Sequence, residues 1–113
     1  TYSQATVCGG TMYTAGQIGL DPHTMQLVSG PENQIRRVFD NLAAICGAAG
    51  GELSDIAQMT VYLVDRDHWP LVNKVMGEYF KAPYPARTAI GVAWLPLDAV
   101  VEIAATLAIG EVV

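Results

Sequence analysis

The chain has 113 residues, 51% of them hydrophobic and only 15% charged, with six Lys and Arg against eleven Asp and Glu for a net charge of −5. That length suits one domain with a sizeable core rather than two. The acidic balance argues against nucleic acid or an anionic membrane as partner, and no run approaches the ~20 apolar residues of a membrane span.

A small monomer so poor in charge would expose much apolar surface, so oligomerisation is expected. The two cysteines, Cys8 and Cys46, do not make a disulfide framework, and a reducing, cytoplasmic setting fits them best. His23 and His68 lie apart, and no C-x-x-C or H-x-x-x-H spacing occurs, so no structural metal site is expected. No basic stretch followed by an apolar run opens the chain, and its start at Thr1 without Met suggests trimmed ends.

No internal repeat or linker is visible, and residues 1–113 read as a single domain. Ala5 to Gly9 and Met12 to Ile18 flank Gly9-Gly10 and predict a hairpin. Gly16-Gln17 within it marks a bulge or a close backbone approach. Asp21-Pro22-His23-Thr24 predicts a turn. Residues 31–49 form the clearest helix, with Ile35, Val38, Phe39, Leu42, Ile45, Cys46 and Ala49 at helical spacing. Pro31 and Glu32 suit its start, and Gly50-Gly51 stops it. Residues 56–65 alternate, with Ala57, Met59, Val61 and Leu63 opposite Gln58, Thr60 and Tyr62, and predict a strand.

Asp67 is expected to cap a second helix with Pro70 in its first turn, whose apolar face is Trp69, Val72, Met76, Tyr79 and Phe80. Residues 87–95 and 99–109 predict two further strands around Leu95-Pro96-Leu97-Asp98. The order β-β-α-β-α-β-β, with right-handed crossovers, gives a two-layer α+β domain whose helices cover one sheet face.

The last two strands each hold one isolated charge, Arg87 and Glu102. Both strands read as buried, and a lone buried charge is costly unless paired or used. Arg87 shares a strand face with Ala89, Gly91 and Ala93, and Glu102 with Ala104 and Thr106. The bulkier faces suit helix packing, so both charges are expected on the roomy, uncovered face, where a small anionic ligand would bind between subunits. Arg87 offers a planar fork for a carboxylate or phosphate; the alternative is an intrachain salt bridge, perhaps to Glu102. Glu102 suits a general base that activates water, or equally a structural carboxylate. Tyr84, just before Pro85-Ala86-Arg87, is a candidate ligand wall. Asn73 is expected to be exposed or capping unless it turns toward a neighbour.

The chain resembles the reactive intermediate deaminase (Rid/YjgF) family over nearly its whole length. Tyr2-Ser3-Gln4-Ala5 is similar to the family's opening, and Ala15-Gly16-Gln17-Ile18-Gly19-Leu20-Asp21-Pro22 to its S-G-Q-I-P-L-D-P segment. Asn41-Leu42 with Ala48-Ala49-Gly50, Thr60-Val61-Tyr62-Leu63, and Val72-Asn73 followed by Tyr79-Phe80 match its middle. Pro85-Ala86-Arg87 through Leu95-Pro96, then Val101-Glu102-Ile103, match its signature end.

The resemblance implies a chorismate-mutase-like fold and a homotrimer with clefts between subunits. It implies hydrolysis of 2-imino or 2-enamino acids to 2-oxo acids and ammonia, without metal or cofactor. It assigns carboxylate binding to Arg87 and water positioning to Glu102. Tyr2, Gly16 and Asn73 fall at its cleft positions, and Ala89 lies beside the reacting group. Ala15 replaces the usual serine, Ala89 the cysteine of some members, and Ala104 a second glutamate found in many. The competing readings are a non-catalytic ligand-sensing or chaperone-like trimer using the same cleft and, more weakly, an endoribonuclease.

Overall fold

A computed structural model describes residues 1–109; the last four residues of the expected 1–113 domain lie outside it. Strands β1 (Ala5–Cys8) and β2 (Thr11–Thr14) form the opening hairpin. Its turn places Gly9 and Gly10 at φ of 57° and 81°, the left-handed region that two-residue hairpin turns require and that glycine enters without steric cost. Helix α1 (Pro31–Ala48), strand β3 (Ile56–Leu63), helix α2 (Trp69–Tyr79), strand β4 (Ala86–Gly91) and strand β5 (Val101–Ala108) follow. The five strands make one sheet in the order β1-β2-β5-β3-β4, with β4 parallel to β3 and the other neighbours antiparallel. The expected element order is thus found.

Alternation decides which side chains meet the helices. Met12, Met59, Val61, Leu63, Val101, Ile103, Ala105 and Leu107 are buried on one sheet face, against Ile35, Val38, Phe39, Leu42 and Cys46 of α1 and Val72, Val75 and Met76 of α2. Phe39 meets Phe80 edge-on with ring centroids 5.6 Å apart, closing the seam between the helices. The opposite face carries Tyr13, Thr106, Gln58, Ala104, Thr60, Glu102 and Tyr62, and neither helix covers it.

Several boundaries differ from expectation. β2 ends at Thr14 rather than Ile18, and only Gln17 returns to the sheet, exchanging backbone bonds of 2.8 and 3.0 Å with Ile103. β3 ends at Leu63, and a register shift between Ile56 and Gln58 buries Ile56 in place of Ala57. Asp67 does not cap α2. Instead the Asp65 carboxylate accepts from the Asp67 backbone N–H at 2.8 Å and opens a short turn that leads into Trp69. β4 stops at Gly91: the Val92 N–H still reaches the Leu63 carbonyl at 2.8 Å, after which the chain leaves the sheet and Trp94 is exposed.

The largest correction concerns β4. Its residues are exposed in the single chain, because β4 is the edge strand, so Arg87 does not sit in a buried strand. Its facing is also reversed. The parallel register pairs Arg87 with Met59, Ala89 with Val61 and Gly91 with Leu63, which puts Arg87 on the helix side. Thr88 and Ile90, paired with Thr60 and Tyr62, point to the open side. The physical reason is that α2 supplies the bulk here, through Trp69 and Met76, so the strand residues beneath it are small.

Candidate active site

The reversed facing splits the expected site in two. Glu102 pairs with Tyr62 on the open face, whereas Arg87 pairs with Met59 on the helix face. An ion pair between them within one chain, one of the readings open from sequence, is therefore ruled out.

Around Arg87, the β3–α2–β4 crossover brings one stripe of α2 over the strand edge. Trp69, Asn73 and Met76 recur at helical spacing and surround the guanidinium. Nη1 donates to Asn73 Oδ1 at 2.9 Å and lies 3.3 Å from the Met76 sulfur. The guanidinium carbon stands 4.4 Å from the centroid of the Trp69 ring, within cation–π range. Asn73 is thus exposed, as expected, and its amide turns toward Arg87 rather than capping the helix. A cavity of about 350 Å³ opens beside the guanidinium, lined by Asn73, Met76, Gly77, Tyr84, Pro85 and Arg87. Tyr84 thus stands where a ligand wall was expected. Ala89 lines an adjoining hollow of about 600 Å³ with Trp69, Ile90, Gly91 and Val92 among its walls.

Around Glu102, the segment 15–20 is laid against β5 by the Gln17–Ile103 backbone pair and anchored by side-chain bonds that no periodic pattern reveals. Gln17 Nε2 donates to Gln4 Oε1 at 2.9 Å and to the Ala15 carbonyl at 3.2 Å. Asn41 Nδ2 reaches back from α1 to the carbonyls of Ile18 and Leu20 at 3.3 and 2.9 Å. Gly16 is thereby pressed onto Glu102: a Cβ at position 16 would lie 2.7 Å from Glu102 Cδ and 2.9 Å from Oε2. Only a residue without a side chain permits that approach, which is the close backbone contact expected at Gly16.

Among the described residues no donor reaches the half-buried Glu102 carboxylate, and burial alone holds its proton above the ordinary glutamate range. Tyr2 is exposed, on the N-terminal stretch just before Gln4. The structure therefore brings Arg87, Asn73 and Tyr84 together around one cavity with Ala89 next door, and Gly16 and Glu102 together elsewhere. Trp69 and Met76, which read only as packing residues in the sequence, join the first group. The α2 spacing of Trp69, Asn73 and Met76 could have revealed them only if Arg87 had been placed on the helix side.

A family model described as Endoribonuclease L-PSP matches residues 1–109. The chain belongs to this family, known also as Rid/YjgF. Two similar relatives are each named 2-iminobutanoate/2-iminopropanoate deaminase. One, from Dermatophagoides farinae, is 40% identical over 103 residues, covering 90% of this chain and 80% of the relative. The other, from Homo sapiens, is 40% identical over 105 residues, covering 92% and 77%. The crystal structure of RidA from a Psychrobacter species superimposes with a TM-score of 0.95 at 47% identity, covering 96% of this chain and 89% of that one. The α+β architecture with one sheet and two helices is thus that of Rid proteins.

A network of charged groups in this Rid domain joins the two helices. Arg36 bonds to Glu32 at 3.1 Å and to Glu78 at 2.6 Å, and Lys74 joins the same Glu32 at 3.0 Å, tying α1 to α2. Among the described residues no group of three or more His, Cys, Asp or Glu gathers to hold a metal ion, and no helix is long and apolar enough to cross a membrane.

Proposed function

We propose that the chain hydrolyses 2-imino acids, and their 2-enamino tautomers, to 2-oxo acids and ammonia. The site is a cleft completed when the Arg87 half of one subunit meets the Glu102 half of a neighbour in a homotrimer. The carrying observation is the Arg87 guanidinium, fixed by α2 yet open to a cavity, in a chain 40% identical to named imine deaminases. The halves lie on opposite faces of one sheet, so one chain cannot close both on a small substrate. The uncovered face bearing Glu102 and the exposed edge strand bearing Arg87 suit burial by neighbouring copies.

In this mechanism Arg87 grips the substrate carboxylate through two parallel N–H···O bonds. Glu102 orients a water and takes its proton as the water oxygen bonds to the imine carbon, giving a carbinolamine. Glu102 then passes that proton to the nitrogen and takes the hydroxyl proton as the C–N bond breaks and the C=O bond forms, so that 2-oxo acid and ammonia leave. The step is redox-neutral and a protonated imine is already electrophilic, so positioning does most of the work and neither metal nor cofactor is required. The raised proton affinity of Glu102 suits a base that acts near neutral pH. Gly16, and Tyr2 from the N-terminal stretch, border the Glu102 half. Tyr84, Asn73 and Ala89 border the Arg87 half, where backbone groups near Ala89 help hold the water or the departing nitrogen. The free Cys8 and Cys46 accord with work in a reducing compartment such as the cytoplasm.

The ribonuclease reading suggested by the family model's description is disfavoured by the charge. With a net charge of −5, three of the six cations, Arg36, Arg37 and Lys74, are already engaged with carboxylates. The test is to add freshly generated 2-iminobutanoate and follow 2-oxobutanoate release. Acceleration over the spontaneous rate is expected. Binding of 2-oxobutanoate with no acceleration would favour a ligand-sensing or chaperone-like trimer instead.

A further inference from the structure

We infer that Trp69 is a positioning residue for Arg87: its ring holds the guanidinium in the pose in which the edge left free by Asn73 and Met76 meets a substrate carboxylate. This rests on the reading of Arg87 as the carboxylate-binding group.

The guanidinium has five N–H donors in a rigid plane. Both donors on Nη1 are taken by α2, one by Asn73 Oδ1 at 2.9 Å and one by the Met76 sulfur at 3.3 Å. The Trp69 ring, 4.4 Å from the guanidinium carbon, covers one face of the plane. The Nε–Nη2 edge and the other face remain. That edge carries two parallel donors, which match the two oxygens of a planar carboxylate. Arginine alone is a flexible side chain with several rotamers, and an exposed one on an edge strand would spend most of its time elsewhere. Three fixed contacts on a single helical stripe hold it in one pose, so less freedom is lost when the ligand binds.

Trp69 packs against the edge of the core and reaches beyond it to the guanidinium. It opens α2, where the chain enters from a short turn, and it is only half-buried, whereas Val72, Val75 and Met76 fill the core beneath the helix. Its ring also lines the hollow that holds Ala89 and Gly91, directly beside the guanidinium. A large aromatic at a half-open rim, stacked on a cation, is placed to orient that cation.

The experiment titrates 2-oxobutanoate, a stable probe, into the full-length protein and into Trp69→Leu and Trp69→Phe variants, alongside the imine hydrolysis assay. Loss of the cation–π contact in Trp69→Leu should weaken 2-oxobutanoate binding by about 3- to 30-fold, mainly as a higher KM for the imine. Trp69→Phe keeps a ring face and should recover part of that loss. In a Trp94→Phe background, which leaves Trp69 as the only tryptophan, saturating 2-oxobutanoate should change the Trp69 fluorescence, and Arg87→Lys should abolish the change. This readout needs no substitution at position 69 and stands even if Trp69→Leu fails to fold. If the wild type binds and hydrolyses normally while both Trp69 variants match it and the fluorescence is unmoved, the positioning role is refuted and the deaminase reading survives. If the wild type neither binds 2-oxobutanoate nor hydrolyses the imine, the deaminase reading falls and this inference with it.

Discussion

The two halves of the site are built on opposite principles. The helix-side half is satisfied before any ligand arrives: Arg87 already has an amide, a thioether and an indole ring around it. The open-face half is unsatisfied. Glu102 is half-buried with no donor to its carboxylate among the described residues, and a glycine is pressed against it. One charge is oriented by the fold and the other is exposed to a cost by it. A binding group gains from being held still, whereas a base gains from a raised proton affinity. In the proposed mechanism, the difference between the halves is the difference between gripping a carboxylate and removing a proton.

Removing the base should break the comparison most. Glu102→Gln keeps the shape and should lower the rate of imine hydrolysis by roughly 10²–10⁴-fold, while 2-oxobutanoate still binds. Near-normal turnover would show that Glu102 is structural. Arg87→Lys attacks the other half. It keeps the charge but cannot offer the fork, so carboxylate binding should weaken by roughly 10–100-fold, the worth of charge-assisted hydrogen bonds. Titration with 2-oxobutanoate measures this, and the circular dichroism spectrum should be unchanged, because Arg87 lies on an exposed edge.

Gly16→Ala sharpens the contrast further. Its methyl would fall 2.7 Å from Glu102 Cδ, so the carboxylate or the segment must shift. The carboxylate is the far end of a flexible side chain and can swing aside at little cost in stability, so hydrolysis should slow by roughly tenfold while 2-oxobutanoate binding stays within about twofold. Equal losses in both would mean that the halves are not separable.

The smallest effect is on stability. Burial raises the folded-state proton affinity of Glu102 above its unfolded value. The folded state is therefore favoured while the group is protonated, and this advantage is lost as pH rises through the raised value. Above the raised value the ionised group carries the full penalty, which Gln does not. Glu102→Gln should accordingly raise the thermal midpoint slightly on the alkaline side of that value, and the gain should vanish below the ordinary carboxylate range. Thermal melts of both proteins across pH 3–8 would reveal a pH-independent difference if burial were not the cause.

The sequence was legible wherever a period was long enough to read. Ile35, Val38, Phe39, Leu42 and Cys46 repeat over several turns, and all are buried. Val101 through Leu107 alternate, and their facing was read correctly. β4 was not legible in the same way. Alternation separates its two faces but does not say which one meets the helices, and side-chain size misled, because the bulk on that side comes from Trp69 and Met76 of α2. Arg87 is therefore legible in the sequence as an isolated charge, but its place on the helix side, away from Glu102, is not. The bonds from Asn41 to Ile18 and Leu20 span more than twenty positions of chain and leave no periodic trace, and the isolated Gln17–Ile103 backbone pair, equally without one, seats Gly16 beside Glu102. The Rid-like motifs named the site residues, while the strand register decides which of them a single chain can bring together.

Complementation between two inactive chains tests the intersubunit arrangement most directly. Arg87→Lys and Glu102→Gln chains would be co-expressed, the mixed assemblies purified, and 2-oxobutanoate release from fresh 2-iminobutanoate measured. If each site takes Arg87 from one subunit and Glu102 from its neighbour, random mixing restores about one quarter of the sites, and activity should rise to about that fraction of wild type, far above either parent. Activity no greater than the average of the two parents would contradict a site shared between subunits.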